Sequence, residues 1–92
     1  MIISFADRDT EKLANHMRVK RFEKIERIAI RKLLQLEIAA TLGDLSVPPG
    51  NRLELLTGDR KGQCSIRINE QYRICFVWTS RGAKDVEIVD YH

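Results

Sequence analysis

The chain has 92 residues, of which 43% are hydrophobic and 32% are charged. This length suits one small domain, which we take to span residues 1–92. No apolar run approaches the length of a membrane span, and the first residues lack the pattern of a secretion signal. We therefore expect a cytoplasmic protein without a membrane partner. The net charge of +3 comes from 16 basic and 13 acidic residues, and the basic ones cluster, which suits RNA or an acidic protein as a partner.

Metal and redox chemistry have little support in the sequence. The two cysteines, Cys64 and Cys75, are not spaced as a metal knuckle or a redox pair, and each lies in a strand pattern. The only histidines are His16 and His92. We predict no metal and no cofactor, and we interpret both cysteines as small buried side chains.

The chain begins with a predicted strand and a short helix. Residues 2–5 form an apolar run typical of a strand that pairs within the later sheet. Asp9 or Thr10 can cap a helix that ends near Met17. We assign His16, near the end of this helix, no chemical role.

A longer second helix is predicted from Lys20 to about Leu42. Apolar residues recur there at steps of three and four, and Gly43 is well placed as the C-terminal cap. A second apolar set lies off the main stripe, and it either widens the core contact or forms a surface for a partner, which we favour. This set is Ile30, Leu34 and Ile38.

The second half of the chain predicts four strands. A loop containing two prolines precedes a short strand over residues 52–56. Two alternating runs, 64–69 and 72–78, are joined by a polar break short enough for a hairpin turn, and a last strand covers 86–92. The predicted fold is an α+β domain with both helices on one face of an antiparallel sheet.

The alternation separates the two faces of this hairpin. The apolar positions, which we expect in the core, are Cys64, Ile66, Ile68, Tyr72, Ile74, Phe76 and Trp78. The sheet should present Arg67, Arg73 and residues 90–92 to solvent. We expect function to lie there.

Several motifs of the second half resemble the HigB toxins, including the GraT-like branch, within the RelE/ParE superfamily. They are the run 48–54, the turn Gly58-Asp59-Arg60-Lys61-Gly62, Tyr72-Arg73-Ile74 and the terminal Asp90-Tyr91-His92. The resemblance covers essentially the whole chain in length and in the order of its elements.

This resemblance implies a toxin of a type II toxin–antitoxin pair with a RelE-like, microbial-ribonuclease-like fold. HigB-like proteins cleave mRNA in the A site of the 30S ribosomal subunit without a metal. A HigA-type antitoxin with a helix-turn-helix domain holds them inactive and represses the operon. The toxin therefore contacts operator DNA only through its antitoxin.

Metal-free RNA cleavage needs a base for the 2′-hydroxyl, a cation for the scissile phosphate and an acid for the leaving oxygen. We predict His92 as the acid or as a phosphate-binding group. Arg73 is predicted as the cation and Glu54 as the base. The structural alternatives are a frayed chain end for His92 and ion pairing of Arg73 with Glu54, Glu87 or Asp90.

Five further residues complete the predicted site. Arg67 is expected to reach the same phosphate, while Arg60 and Lys61 either bind the RNA backbone or are merely solvated. Asp90 is predicted to orient a catalytic base. Tyr91 either stacks on a base, donates its hydroxyl or packs at the edge of the core.

One departure from the family and two other functions bear on this interpretation. Well-characterised HigB proteins often carry histidine at the position of Glu54 and lysine at the position of Thr57, so we expect a slower and milder nuclease here. A ParE-like gyrase poison is one alternative, against which the terminal residues 90–92 argue. A non-catalytic nucleic-acid-binding module is the other.

Overall fold

The computed structural model describes residues 1–90, which form two α-helices and a four-stranded sheet. The helices are α1, Arg8–Ala14, and α2, Glu26–Ile38. The strands are β1, Glu54–Leu55, β2, Cys64–Arg67, β3, Tyr72–Thr79, and β4, Gly82–Asp90. They lie side by side in chain order, and each adjacent pair is antiparallel. The predicted α+β class is confirmed.

Helix α1 is capped by Asp7, so the prediction of Asp9 or Thr10 as the cap was wrong. The Asp7 Oδ2 atom accepts a hydrogen bond from the backbone N–H of Thr10, at 3.2 Å. Thr10 itself is fully buried, and its hydroxyl accepts a hydrogen bond from the backbone N–H of Ile88 in β4. Threonine at this position therefore ties the helix to the sheet and does not begin the helix.

The predicted helix over residues 20–42 is divided and ends early. Lys20–Ile25 forms a 3-10 helix before α2, and Gly43 lies in a separate 3-10 turn after it. Thr41 and Asp44 cap this turn reciprocally, each side chain bonding the backbone of the other residue. Gly43 is therefore not the cap of α2, because the polar caps begin a new turn instead. Within the described part of the chain, no helix has the length and apolar character needed to cross a membrane.

Both helices pack against one face of the sheet. The fully buried apolar side chains of the core include Leu13, Phe22, Ala29 and Leu36 from the helical layer, with Ile66, Ile74, Phe76, Ala83 and Val86 from the strands. The Phe22 ring meets the Tyr72 ring edge-on, with the centroids 5.9 Å apart. The predicted apolar face of the hairpin is therefore confirmed. The opposite face, which carries Ser65, Arg67, Arg73, Cys75 and Glu87, is called the open face below.

The first residues do not form a full strand within the sheet. Ile2 bridges Ala83 and Phe5 bridges Val86, and both isolated bridges are parallel to β4. The segment thus runs along the outer edge of β4. A Cβ atom at Gly82 would lie 2.1 Å from the Met1 carbonyl oxygen, so glycine permits this close approach.

A buried amide attaches the loop before β1 to helix α2. The Asn51 side-chain nitrogen donates hydrogen bonds to Gln35 Oε1 and to the Leu45 carbonyl oxygen, each at 3.0 Å. Its oxygen accepts a hydrogen bond from Lys32. Burial, and then the charge of Arg31, lower the pKa of Lys32. This network anchors the loop before β1 to α2.

Candidate functional site

Two rows of side chains cross the open face. The first row consists of register partners on β1 to β4, namely Glu54, Ser65, Cys75 and Glu87. The second row consists of Arg67, Arg73 and Val89. Directly opposed residues of antiparallel strands point to the same side of a sheet, so both rows share this face.

Arg73 is held by hydrogen bonds and an ion pair at the centre of the open face. Its Nε donates a hydrogen bond to Ser65 Oγ at 2.8 Å, and its Nη2 donates one to the Arg52 carbonyl oxygen at 2.7 Å. The same Nη2 lies 3.7 Å from Glu54 Oε1. The Arg73 side chain is 12% exposed, so the expectation that it faces solvent was wrong. Its guanidinium is a fixed, largely buried cation.

The loop before β1 places Arg52 and Glu54 next to Arg73. Arg52 has a left-handed backbone, with φ 46° and ψ 53°, which residues other than glycine seldom adopt. Its carbonyl oxygen thereby serves as an acceptor for Arg73. Glu54 begins β1 directly opposite Ser65, and its side chain is 52% exposed. The ion pair between Glu54 and Arg73, one of the alternatives stated above, is thus present.

A second ion pair lies on the other side of Cys75. Arg60, at the end of the glycine-bracketed turn, donates from Nη1 to Gln63 Oε1 at 3.0 Å and to Glu87 Oε1 at 3.3 Å. Its neighbour Lys61 is exposed. The two residues that were predicted together as RNA ligands therefore differ, since one is oriented by the sheet and the other is solvated.

Cys75 is fully buried between these two ion pairs. Burial raises the pKa of its thiol, and the charges of Arg60, Glu87, Arg73 and Glu54 act on it with opposing signs. Burial likewise raises the pKa of the Cys64 thiol on the core face. A buried, protonated thiol is a poor nucleophile, which agrees with the prediction that both cysteines are small buried side chains.

Arg67 completes the cationic part of the site. It lies directly opposite Arg73 on the neighbouring strand and is half-buried. Its Nε donates a hydrogen bond to the Asn69 carbonyl oxygen at 3.2 Å. Two arginines are thus register partners across the hairpin, and the carboxylate of Glu54 lies at one of them, Arg73.

The terminal residues are only partly accounted for. Asp90 is exposed and lies opposite Tyr72, in the register of the core face and not in that of Arg73. Its Oδ2 accepts a hydrogen bond from Gln71 Nε2 at 3.1 Å. The predicted roles of Tyr91 and His92 lie outside the described residues.

Sequence reasoning gave no role to Ser65, which holds Arg73. The alternation had placed Ser65 on the polar face with Arg67, and this was the available signal. Its complete burial could not be read from that pattern. A buried serine on a polar strand face needs a hydrogen-bond partner, and an arginine on the next strand is a suitable one.

The fold defines the class of protein. The structure resembles the "YoeB-YefM complex from Staphylococcus aureus" with a TM-score of 0.59 over 100% of this chain and 95% of that chain. The sequence identity is 20%, so this likeness concerns the fold alone. The architecture is that of a RelE-like protein.

The sequence defines the family. Residues 4–92 match the family model of HigB-like toxins, described as "RelE-like toxin of type II toxin-antitoxin system HigB". The chain belongs to this family, which confirms the resemblance stated above. Toxin HigB-1 of Vibrio cholerae serotype O1 (strain ATCC 39315 / El Tor Inaba N16961) is 54% identical over 54 residues. This match spans 59% of the chain and 57% of that toxin.

Proposed function

We propose that this chain is a toxin that acts in the cytoplasm and cleaves mRNA on the ribosome. It is an endoribonuclease that needs no metal. A HigA-type antitoxin neutralises it, and operator DNA is contacted only through that antitoxin. The observation that carries the proposal is the pair Arg67 and Arg73, directly opposite on β2 and β3, with the carboxylate of Glu54 at Arg73.

Like charges directly opposite each other on two strands repel, so an additional anion bound beside Arg67 and Arg73 would be stabilising. A backbone phosphate of RNA is such an anion, and arginine attracts it as a permanent positive charge. The contacts of Arg73 with Ser65 and with the Arg52 carbonyl oxygen orient its guanidinium before substrate arrives. Such preorganisation is what a cation needs to stabilise charge that develops in the transition state.

Glu54 is the base of the proposed reaction. Its half-exposed carboxylate lies beside Arg73, as required because the attacking 2′-oxygen and the scissile phosphate are close neighbours in RNA. Glu54 takes the proton of the 2′-hydroxyl, and the 2′-oxygen attacks the phosphorus. The bond to the 5′-oxygen then breaks, and His92 protonates that oxygen. The products are a 2′,3′-cyclic phosphate and a 5′-hydroxyl end.

The remaining predicted residues serve binding and orientation in this proposal. Arg60 and Lys61 contact the RNA backbone beside the site, Tyr91 stacks on a base and Asp90 orients the catalytic base. Glu54 stands where other members often carry histidine, and Thr57 where they often carry lysine. The loss of two cationic groups weakens the hold on phosphate, so we expect slow cleavage.

Primer extension on a translated message tests this function. The wild-type chain should produce discrete cuts linked to codons. Arg73→Ala should reduce cleavage by about 10²–10³-fold, because a preorganised cation is lost. Glu54→Ala and His92→Ala should also reduce it. Arg81→Ala, which removes an exposed arginine at the β3–β4 turn, is the matched control and should cleave normally.

Undiminished cleavage in the Arg73, Glu54 and His92 variants would refute the assignment of the site. A DNA-damage response without cuts would identify a gyrase poison instead. Neither cuts nor DNA damage would leave a non-catalytic binding module.

A further inference from the structure

Helix α2 carries a stripe of exposed side chains on the side away from the core. We call it the α2 stripe, and it consists of Arg27, Arg31, Leu34 and Ile38. Their spacing of four, three and four residues places them along one line of the helix surface. The core residues of α2, Ala29, Leu33 and Leu36, lie on the other side.

The C-terminal half of the α2 stripe is apolar. Leu34 is 58% exposed and Ile38 is 72% exposed. Ile38 also lines a cavity of about 270 Å³ together with Val47, which is 69% exposed. Leu34 borders a second cavity of about 240 Å³, beside Phe5. Large aliphatic side chains that are exposed together next to hollows are typical of protein–protein contact surfaces.

The N-terminal half of the stripe is cationic. Arg27 and Arg31 are exposed, and neither has an ion-pair partner among residues 1–90. The stripe therefore offers two positive charges followed by an apolar ridge. Its complement is a segment that carries carboxylates at one end and apolar side chains at the other.

We infer that the antitoxin covers the α2 stripe with such an acidic and apolar segment. The identity of this partner rests on the proposed function. RNA matches the stripe poorly, because its phosphates pair with Arg27 and Arg31 but leave the aliphatic groups of Leu34 and Ile38 without an apolar partner. The stripe also lies on the helical side of the molecule, whereas Arg73 lies on the open face.

Isothermal titration with the helix-turn-helix protein encoded beside the toxin gene tests this inference. The double variant Leu34→Ser/Ile38→Ser should bind about 30-fold more weakly or worse, as loss of a central apolar anchor does. The control is Leu55→Ser on the edge strand β1, since Leu55 is 74% exposed and equally apolar. Its affinity should stay within about twofold of the wild type.

Charge reversal tests the cationic half. Arg27→Glu/Arg31→Glu should weaken binding more at low salt than at high salt, because salt screens exposed charges. Lys84→Glu, at an exposed position of β4, is the matched control and should bind normally. Thermal unfolding of each variant verifies that the fold is retained.

The same variants separate this inference from the proposed nuclease activity. The α2-stripe variants should cleave translated message at the wild-type rate, while Arg73→Ala should lose cleavage and keep its affinity for the antitoxin. If no variant cleaves, titration still measures the docking surface. Unchanged affinity in both double variants would overturn the inference, as would an equal loss in Leu55→Ser.

Two further results would assign the stripe to another partner and overturn the inference. In one, the stripe variants keep their affinity for the antitoxin and lose affinity for 30S ribosomal subunits. In the other, the wild-type chain sediments as a dimer and Leu34→Ser/Ile38→Ser as a monomer, with unchanged affinity for the antitoxin.

Discussion

The two faces of the β2–β3 hairpin are buried to a similar extent but have opposite chemistry. Ile66, Ile74 and Phe76 are buried on the face that the helices cover. On the open face, Ser65 and Cys75 are equally buried and Arg73 nearly so. In this small domain, the extent of burial alone therefore does not distinguish residues of the core from residues of the candidate site. The chemistry of the buried side chains distinguishes them, because the core face buries apolar groups and the open face buries polar and charged groups.

The two faces also differ in what they contribute to stability. Burial of apolar side chains stabilises the fold by about 25 cal/mol per Å². Charged groups taken out of water are costly unless they are paired and hydrogen-bonded, and the pairs seldom stabilise more than apolar packing would. The ion pairs of Arg73 and Arg60 are therefore expected to contribute less to the stability of the fold than the apolar face does.

The largest expected effect concerns the core face. Phe76→Ala should lower the free energy of unfolding by about 3–5 kcal/mol, because it removes a fully buried ring and leaves a cavity. Val77→Ala, at the half-buried next position, should lower it by roughly 1 kcal/mol. Urea unfolding measures both. Equal losses would contradict the assignment of stability to the core face.

A comparison of two carboxylates sharpens the role of the open face. Glu54 and Glu87 both belong to ion pairs on this face, and each lies on one side of Cys75. Glu54→Gln should reduce mRNA cleavage by about 10²-fold, since it removes the proposed base, whereas Glu87→Gln should reduce it by less than about tenfold. Primer extension measures both variants. A larger loss in Glu87→Gln would move the base to the other ion pair.

The smallest effect compares one thiol from each face. Burial raises the pKa of both Cys64 and Cys75 from the ordinary value of 9.0. Above about pH 9 the unfolded chain has released protons that the folded chain keeps, so the free energy of unfolding falls as pH rises. Below that range both thiols keep their protons in the folded and the unfolded chain, so they do not change the free energy of unfolding with pH. Urea unfolding at several pH values should show a shallower fall for Cys75→Ala and for Cys64→Ala than for the wild type.

The outcome at Cys75 tests how dry the open face is. If only Cys64→Ala changes the slope, the thiol of Cys75 titrates as it does in water. The open face would then be accessible to solvent, and Arg73 would lie in a wetter environment than its low exposure indicates.

Periodicity predicted the parts of the fold that depend on local pattern. The alternation of residues 64–68 and 72–76 identified both faces of the hairpin, because a strand side chain points to one side or the other. Helix ends were less predictable. Gly43 looked like the cap of α2, but the reciprocal capping of Thr41 and Asp44 begins a new turn. Where two neighbouring residues could each act as a helix cap, the packing of the chain determines which cap forms.

The candidate site was predicted in its charged residues and, as one alternative, in the ion pair of Arg73 with Glu54, but not in its other contacts. Sequence identified Arg73, Glu54 and Arg67 as its charged members, and the register of the strands brings these three together. Asp90 was predicted in the same place, yet its pairing with Tyr72 places it in the register of the other face. The difference arises because register depends on how the strands align.

The sequence by itself determined that this chain has one apolar and one polar strand face, and that it belongs to the HigB-like family. Only the tertiary structure decided that Arg73 is buried and held by Ser65, Glu54 and the Arg52 carbonyl oxygen. The physical reason is distance along the chain. Side-chain direction follows from each residue's own backbone, whereas the partners of Arg73 come from other strands and from a loop that Asn51 anchors to α2.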